Sequence, residues 1–120
     1  MLLLDANIYI RYILKDNLSQ AHKAQDFIKN NEIYTDPTVI AEVIWVLTSF
    51  YKMSKADFLP PLLAIIEQKN NKSPSKKLLI HSLEFFYDHN LSYIDCYLHC
   101  LGQSKGIPLA TFDSKLAKIK

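Results

Sequence analysis

The sequence predicts an α/β fold built on a parallel sheet, and three observations predict it. The chain opens on Leu2-Leu3-Leu4 closed by Asp5, which reads as a short, fully buried strand in the middle of such a sheet. A second short strand, Glu32-Ile33-Tyr34-Thr35, follows two helical stretches, and strand, helical hairpin, strand is the start of a parallel α/β unit. Near the end, Ile107-Pro108-Leu109-Ala110-Thr111-Phe112 reads as a last buried strand, again closed by an acid, Asp113.

At 120 residues and 49% hydrophobic content, the chain is expected to form one domain over 1–120. The start is not basic and the apolar run ends at Asp5, so no signal peptide is expected. No segment approaches the roughly 20 apolar residues a membrane helix needs, and a soluble cytoplasmic protein is the expectation. The net charge of +2 gives only faint encouragement to a nucleic-acid partner. Cys96 and Cys100 lie four apart in a helical stretch, as same-face core residues rather than a disulfide. With His99 they do not make a recognised zinc spacing.

The elements follow in order. Ile8 to Leu14 continues from Asp5 as a helix ending near Lys15-Asp16-Asn17. Ser19 can cap a second helix through Ala21, Ala24, Phe27 and Ile28 to Asn30-Asn31. Asp36-Pro37 supplies a cap and a proline at the first helical position. The helix they open, Thr38 to Leu47, is apolar nearly all round and should be buried on most sides. Ser54-Lys55-Ala56-Asp57 begins a further helix, with Pro60-Pro61 in or before its first turn. Asn70-Asn71-Lys72-Ser73-Pro74 is a loop by composition. Lys76 to about His89 is amphipathic, with Leu79, Leu83 and Phe86 on one stripe and Asn90 as a stop. Ser92-Tyr93-Ile94-Asp95 is a capping-box pattern. It opens a helix expected to bury Ile94, Tyr97, Leu98 and Leu101 and to end at Gly106, and a last helix runs from Ser114 to Lys120.

Four acids share a context. Asp5 and Asp113 close strands, Asp95 stands in the first turn of a helix, and Glu42 is the only charge on an apolar helix. Each has a structural account as well: Asp5, Asp95 and Asp113 as helix caps, and Glu42 as a solvated margin residue, although the cost of a lone buried carboxylate favours its facing a cleft or a cation. Strand ends and helix N-termini converge on one edge of an α/β sheet. Carboxylates gathered there repel unless a cation neutralises them, and oxygen ligands suit Mg²⁺ or Mn²⁺. Such an ion activates water and stabilises charge on a phosphoryl oxygen.

Leu2-Leu3-Leu4-Asp5-Ala6-Asn7, Ile40 to Leu47 around Glu42, Leu91-Ser92-Tyr93-Ile94-Asp95 and Ala110 to Leu116 around Asp113 resemble, in order and spacing, the four acidic motifs of PIN-domain nucleases. The likeness is nearest to the VapC-type toxins of bacterial and archaeal toxin–antitoxin pairs, and it covers essentially the whole chain. The resemblance implies a single nuclease domain of three-layer α/β/α form with a central parallel sheet. It further implies Mg²⁺- or Mn²⁺-dependent endoribonuclease activity, a homodimer, and neutralisation by a cognate antitoxin. Carried over, Asp5 and Asp95 are the principal metal ligands, and Glu42 and Asp113 complete the catalytic acidic pocket, directly or through water. Asn7 and Thr111 help to orient the carboxylates, or make ordinary turn and strand-end hydrogen bonds. Asp95 is followed by Cys96 where the family usually has alanine. The chain stops at Lys120, where many relatives add a further short strand.

An RNA substrate held against an acidic pocket requires cations around the rim. Arg11 on the first helix is the nearest candidate, with Lys15, Lys52, Lys76, Lys77, Lys115 and Lys118 as further ones. Tyr9, Tyr12, Tyr93 and Tyr97 either stack bases or fill core and dimer interface. Two other functions compete: a non-catalytic RNA- or protein-interaction module on the same fold, and a phosphatase-like enzyme with Asp5 as covalent nucleophile. The second commonly wants another acid two residues on, where Asn7 stands.

Overall fold

In the computed structural model, which describes residues 1–119, every helix start but that at Lys76 is capped by the side chain of the residue just before it. Along the chain run β1 (Leu2–Leu3), α1 (Ala6–Leu14), α2 (Leu18–Lys29), β2 (Ile33–Tyr34), α3 (Pro37–Ser49), α4 (Lys55–Glu67), α5 (Lys76–Asp88), α6 (Tyr93–Lys105) and α7 (Ser114–Ala117). They fall into two units, Met1–Lys76 and the residues from Lys77 on. Among the described residues no helix is long and apolar enough to cross a membrane.

The first unit holds the sheet. β1 and β2 pair in parallel, with Leu2 opposite Ile33 and Leu3 opposite Tyr34. On the other side of β2, Ile33 N–H donates to the Asn70 carbonyl and Lys72 N–H to the Ile33 carbonyl, both at 2.8 Å, so that Asn71 lies alongside as a parallel bridge. The 70–74 segment, a loop by composition, thus supplies the third position of the sheet. What holds it is side-chain bonding: Asn71, 1% exposed, donates to Thr35 Oγ1 at 2.8 Å, and its Oδ1 accepts from Ser73 Oγ at 2.8 Å. Thr35 N–H donates to Ser73 Oγ, and the Tyr9 hydroxyl lies 3.0 Å from Thr35 Oγ1. These buried polar groups satisfy one another, the condition on which burial is tolerable.

Leu4 is buried, but Leu3 is 69% exposed, which corrects the expectation of a fully buried central strand. β1 has a strand partner on one side only among the described residues, so it stands at an edge of the sheet rather than in its middle.

α1 buries Ala6, Tyr9 and Ile10 and packs against α2, α3 and α4. α2 starts at Leu18 because Asn17, not Ser19, is its cap: Asn17 Oδ1 accepts Gln20 N–H at 3.1 Å. Asn70 Nδ2 closes the far end of α2 by donating to the carbonyls of Ile28 and Asn31, each at 2.7 Å. α3 begins as expected, with Asp36 capping and Pro37 at the first position. It buries a single stripe, Ile40, Val43, Ile44 and Leu47, while Trp45 stands 66% exposed. The expectation of burial on most sides therefore fails, since an apolar composition does not itself supply neighbours. Pro60 and Pro61 lie inside α4, beyond its first turn. The two backbone bonds they forgo are offset by the burial of Phe58, Leu59, Leu62, Ile65 and Ile66.

The second unit is helical. α5 buries Leu79, Ser82, Leu83 and Phe86, and Ser82 Oγ meets the Tyr93 hydroxyl at 3.0 Å. α6 buries Tyr93, Cys96, His99 and Cys100, with Ile94 51% and Leu98 38% exposed, so its buried face is rotated from the expected stripe. The two cysteines are buried and form no disulfide, as expected of core residues. Gly106 ends α6 in the left-handed conformation at φ 65°, which glycine adopts without steric cost.

Residues 107–112 form no strand. Ile107 N–H returns to the Gly102 carbonyl at 2.8 Å, and Ile107 and Phe112 stand exposed. A strand needs a neighbouring backbone for its N–H and C=O groups, and this unit holds no strand among its described residues. α7 is described from Ser114 to Ala117; Lys120, the expected helix end, lies outside the described residues.

Candidate active site

Asp5 leaves β1 two residues after Leu3 and caps α1, its Oδ1 accepting Asn7 N–H at 3.1 Å. The structural account of Asp5 is thus realised. It does not exhaust the residue, because a carboxylate has two oxygens and Asp5 is exposed. Asp36 stands in the equivalent place after β2, its Oδ1 accepting Thr38 N–H at 2.8 Å. Since Leu3 lies opposite Tyr34, both acids leave the carboxyl edge of the sheet at one level. From the sequence Asp36 is legible only as a cap; the strand register is the signal that pairs it with Asp5.

Asp5, Asn7 and Arg11 are brought together as lining of one cavity of about 460 Å³ between α1 and α2, with Gln20, Lys23 and Phe27 opposite. The Arg11 guanidinium is anchored: Nη1 bonds both Asp16 carboxylate oxygens at 2.7 Å and Nη2 donates to the Tyr51 hydroxyl at 2.8 Å. The Tyr51 hydrogen bond, with Asp16 adding, raises its already high pKa. Glu42 lies on α3, exposed and without a hydrogen bond or ion pair among the described residues. It occupies the solvated position that competed with the cleft reading, and it meets no burial cost.

In the second unit, Asp95 is half-buried in the first turn of α6, where its N–H donates to Ser92 Oγ at 3.2 Å. Asp113 caps α7, its Oδ1 accepting from Lys115 N–H at 2.8 Å and Leu116 N–H at 3.0 Å. Thr111 Oγ1 accepts the Asp113 N–H at 3.0 Å, fixing that acid's backbone. Two of the four acids belong to each unit. Among the described residues, no three His, Cys, Asp or Glu side chains stand grouped to hold a metal ion.

Taken one by one, the acids carry the donor type that a hard divalent cation takes. The four acids offer oxygen only, and the capping bonds of Asp5 and Asp113 use one oxygen of each. Cysteine does not compete for the role, because burial raises the Cys100 pKa and keeps it a thiol.

Several rim candidates are otherwise engaged. Lys76 Nζ donates to the Gln68 and Asn71 carbonyls at 2.8 and 3.3 Å. Tyr9 and Tyr93 are core residues, as the alternative to base stacking had it; burial raises both hydroxyl pKa values. Sequence reasoning missed Lys23 and Phe27, the latter because its helical spacing marked it as core although it stands 42% exposed.

Curated proteins and solved structures give no match to the chain. The family model of the PIN domain matches residues 2–120, across both units, and a mostly helical α/β chain with a small parallel sheet fits it. The chain therefore belongs to the PIN domain family.

Proposed function

We propose that the chain is a divalent-metal-dependent endoribonuclease, the toxin of a VapBC-type pair, acting by hydrolysis of an RNA phosphodiester. PIN domains are commonly nucleases and typically use divalent metals. The observation that carries the reading is Asp5: it closes a parallel strand, spends one oxygen on the α1 cap and faces a cavity edged by cations. Asp5, Asp95, Glu42 and Asp113 would hold Mg²⁺ or Mn²⁺. The ion, when bound, supplies Lewis-acid stabilisation of phosphoryl charge and an acidified water.

The chain's own residues supply the rest. Asn7, through its backbone, holds the Asp5 carboxylate, and Thr111 holds Asp113 through its main chain. The Arg11 guanidinium, fixed by Asp16 and Tyr51, presents its remaining donors to a phosphate without losing side-chain freedom on binding. A cognate antitoxin, a homodimer, a single three-layer domain over 1–120 and a cytoplasmic location belong to the same reading.

The test is cleavage of structured RNAs by purified protein with Mn²⁺ or Mg²⁺, beside EDTA and Asp5→Asn. Metal-dependent cuts at discrete positions that vanish in the variant support the nuclease. Exposed, unpartnered Glu42 and the absence, among the described residues, of any three His, Cys, Asp or Glu side chains grouped to hold a metal favour the second reading, a non-catalytic interaction module. That reading gains if a broad RNA panel stays intact and calorimetry detects no metal binding.

A further inference from the structure

We infer that the groove between α1 and α2 is a nucleotide subsite, which seats one base and its phosphate of a single-stranded RNA beside Asp5. The inference rests on the ribonuclease reading for its substrate class but not for its geometry. Gln20, Lys23 and Phe27 recur three and four apart along α2, so they form one stripe, and this stripe faces Asp5, Asn7 and Arg11 across the groove. Ala24, 1% exposed, is small enough to leave the floor open. At about 460 Å³ the space lies within the range of small-ligand sites.

Each wall matches one part of a nucleotide. Lys23 is exposed and makes no ion pair among the described residues, so its ammonium is available to a phosphate. The Phe27 ring, 42% exposed beside it, offers a face on which a base stacks whatever its identity. The Gln20 and Asn7 amides carry both donors and acceptors for base edges. Within the groove Ile8 and Phe27 are the large apolar side chains, set among Asp5, Asn7, Arg11, Gln20 and Lys23, and the apolar strip that a helical peptide would need lies outside it, where Ile8 and Phe27 adjoin Leu2, Leu3 and Leu4. The chemistry favours RNA over protein. The groove also explains how an acid such as Asp5 coexists with an anionic substrate: the cations lie along the walls and the carboxylate at the end.

The test is fluorescence anisotropy of an end-labelled single-stranded octaribonucleotide with the whole chain in EDTA, over a salt series. Lys23→Ala should weaken binding several-fold and reduce the slope of log K against log salt by about 0.7, the value for one phosphate contact on a single strand. Phe27→Ala should weaken binding about tenfold with the slope unchanged. Lys23→Arg and Phe27→Trp should restore most of the affinity, which a folding defect would not permit. Absence of binding by the unsubstituted chain, or unchanged affinity in both alanine variants, overturns the subsite. Binding that depends on Lys23 and Phe27 without any metal-dependent cleavage supports the subsite and removes the nuclease. Asp5-dependent cleavage with KM unchanged in both variants does the reverse.

Discussion

Leu2–Asp5 and Ile107–Asp113 carry one local pattern, apolar residues, then an acid, then a helix, and they end in different states. The first becomes β1, hydrogen-bonded in parallel to β2. The second forms no strand, and its Phe112 ring is fully exposed. What survives in both is the cap, with Asp5 opening α1 and Asp113 opening α7. Helix starts are decided within four residues of chain, whereas a strand is decided by whether another backbone is present.

The largest expected effect tests the two acids against each other. Asp5→Asn should lower metal-dependent RNA cleavage by at least about a hundredfold, while urea unfolding stays near that of the parent because asparagine caps as well as aspartate. Asp113→Asn, measured identically, tells whether the second acid carries the same weight or only its cap. Next comes burial. Leu4→Ala should cost about 2–5 kcal/mol, because Leu4 is 4% exposed. Phe112→Ala should fall within about 0.5 kcal/mol of the parent in the same denaturant titration. Comparable losses at the two positions would break the contrast.

Asn71→Ala examines what fixes the sheet that Ile107–Phe112 lacks. It strips Thr35 Oγ1 and Ser73 Oγ of a shared partner and should cost about 1–3 kcal/mol, with loss of amide protection at Ile33. The smallest effect concerns His99. Its Nε2 is buried without a hydrogen-bond partner among the described residues. Burial first, then His89 and His81, lower its pKa below the ordinary histidine value. The unfolded chain then takes the proton more readily, so stability is full above about 6.5 and declines as the pH falls below it. Thermal unfolding at pH 5.0 and 7.5 should show that decline, and His99→Phe should flatten it.

The pattern of what the sequence disclosed follows from the same contrast. Asp36-Pro37, Ser54, Ser92 and Gly106 mark their helix ends as expected, since each acts on its immediate neighbours. Asn71 was illegible because its turn-forming composition gives no hint of bonds to Thr35 and Ser73. The rotated face of α6 is a packing result: the period of Ile94, Tyr97, Leu98 and Leu101 was right for a helix, and the side on which neighbours lay was not in the period. Of the candidate site, Asp5, Asn7 and Arg11 were each legible as candidates, and a strand end with the following helix places them on one cavity, whereas the expected gathering of four acids depends on distant elements and is not seen among the described residues. Lys23 and Phe27 were not legible as site residues, since only the approach of α2 to α1 brings them opposite.

Cys96 and Cys100 are buried thiols outside any disulfide and confined to the second unit, and the single tryptophan, Trp45, belongs to the first. A thiol reagent can reach the cysteines only when α6 opens, so its labelling rate clocks that event alone. The emission anisotropy of the Trp45 indole, which falls when α3 no longer holds its backbone, follows the other half. Each half thus arrives with its own reporter, and the order in which the two come apart can be timed on the unaltered chain.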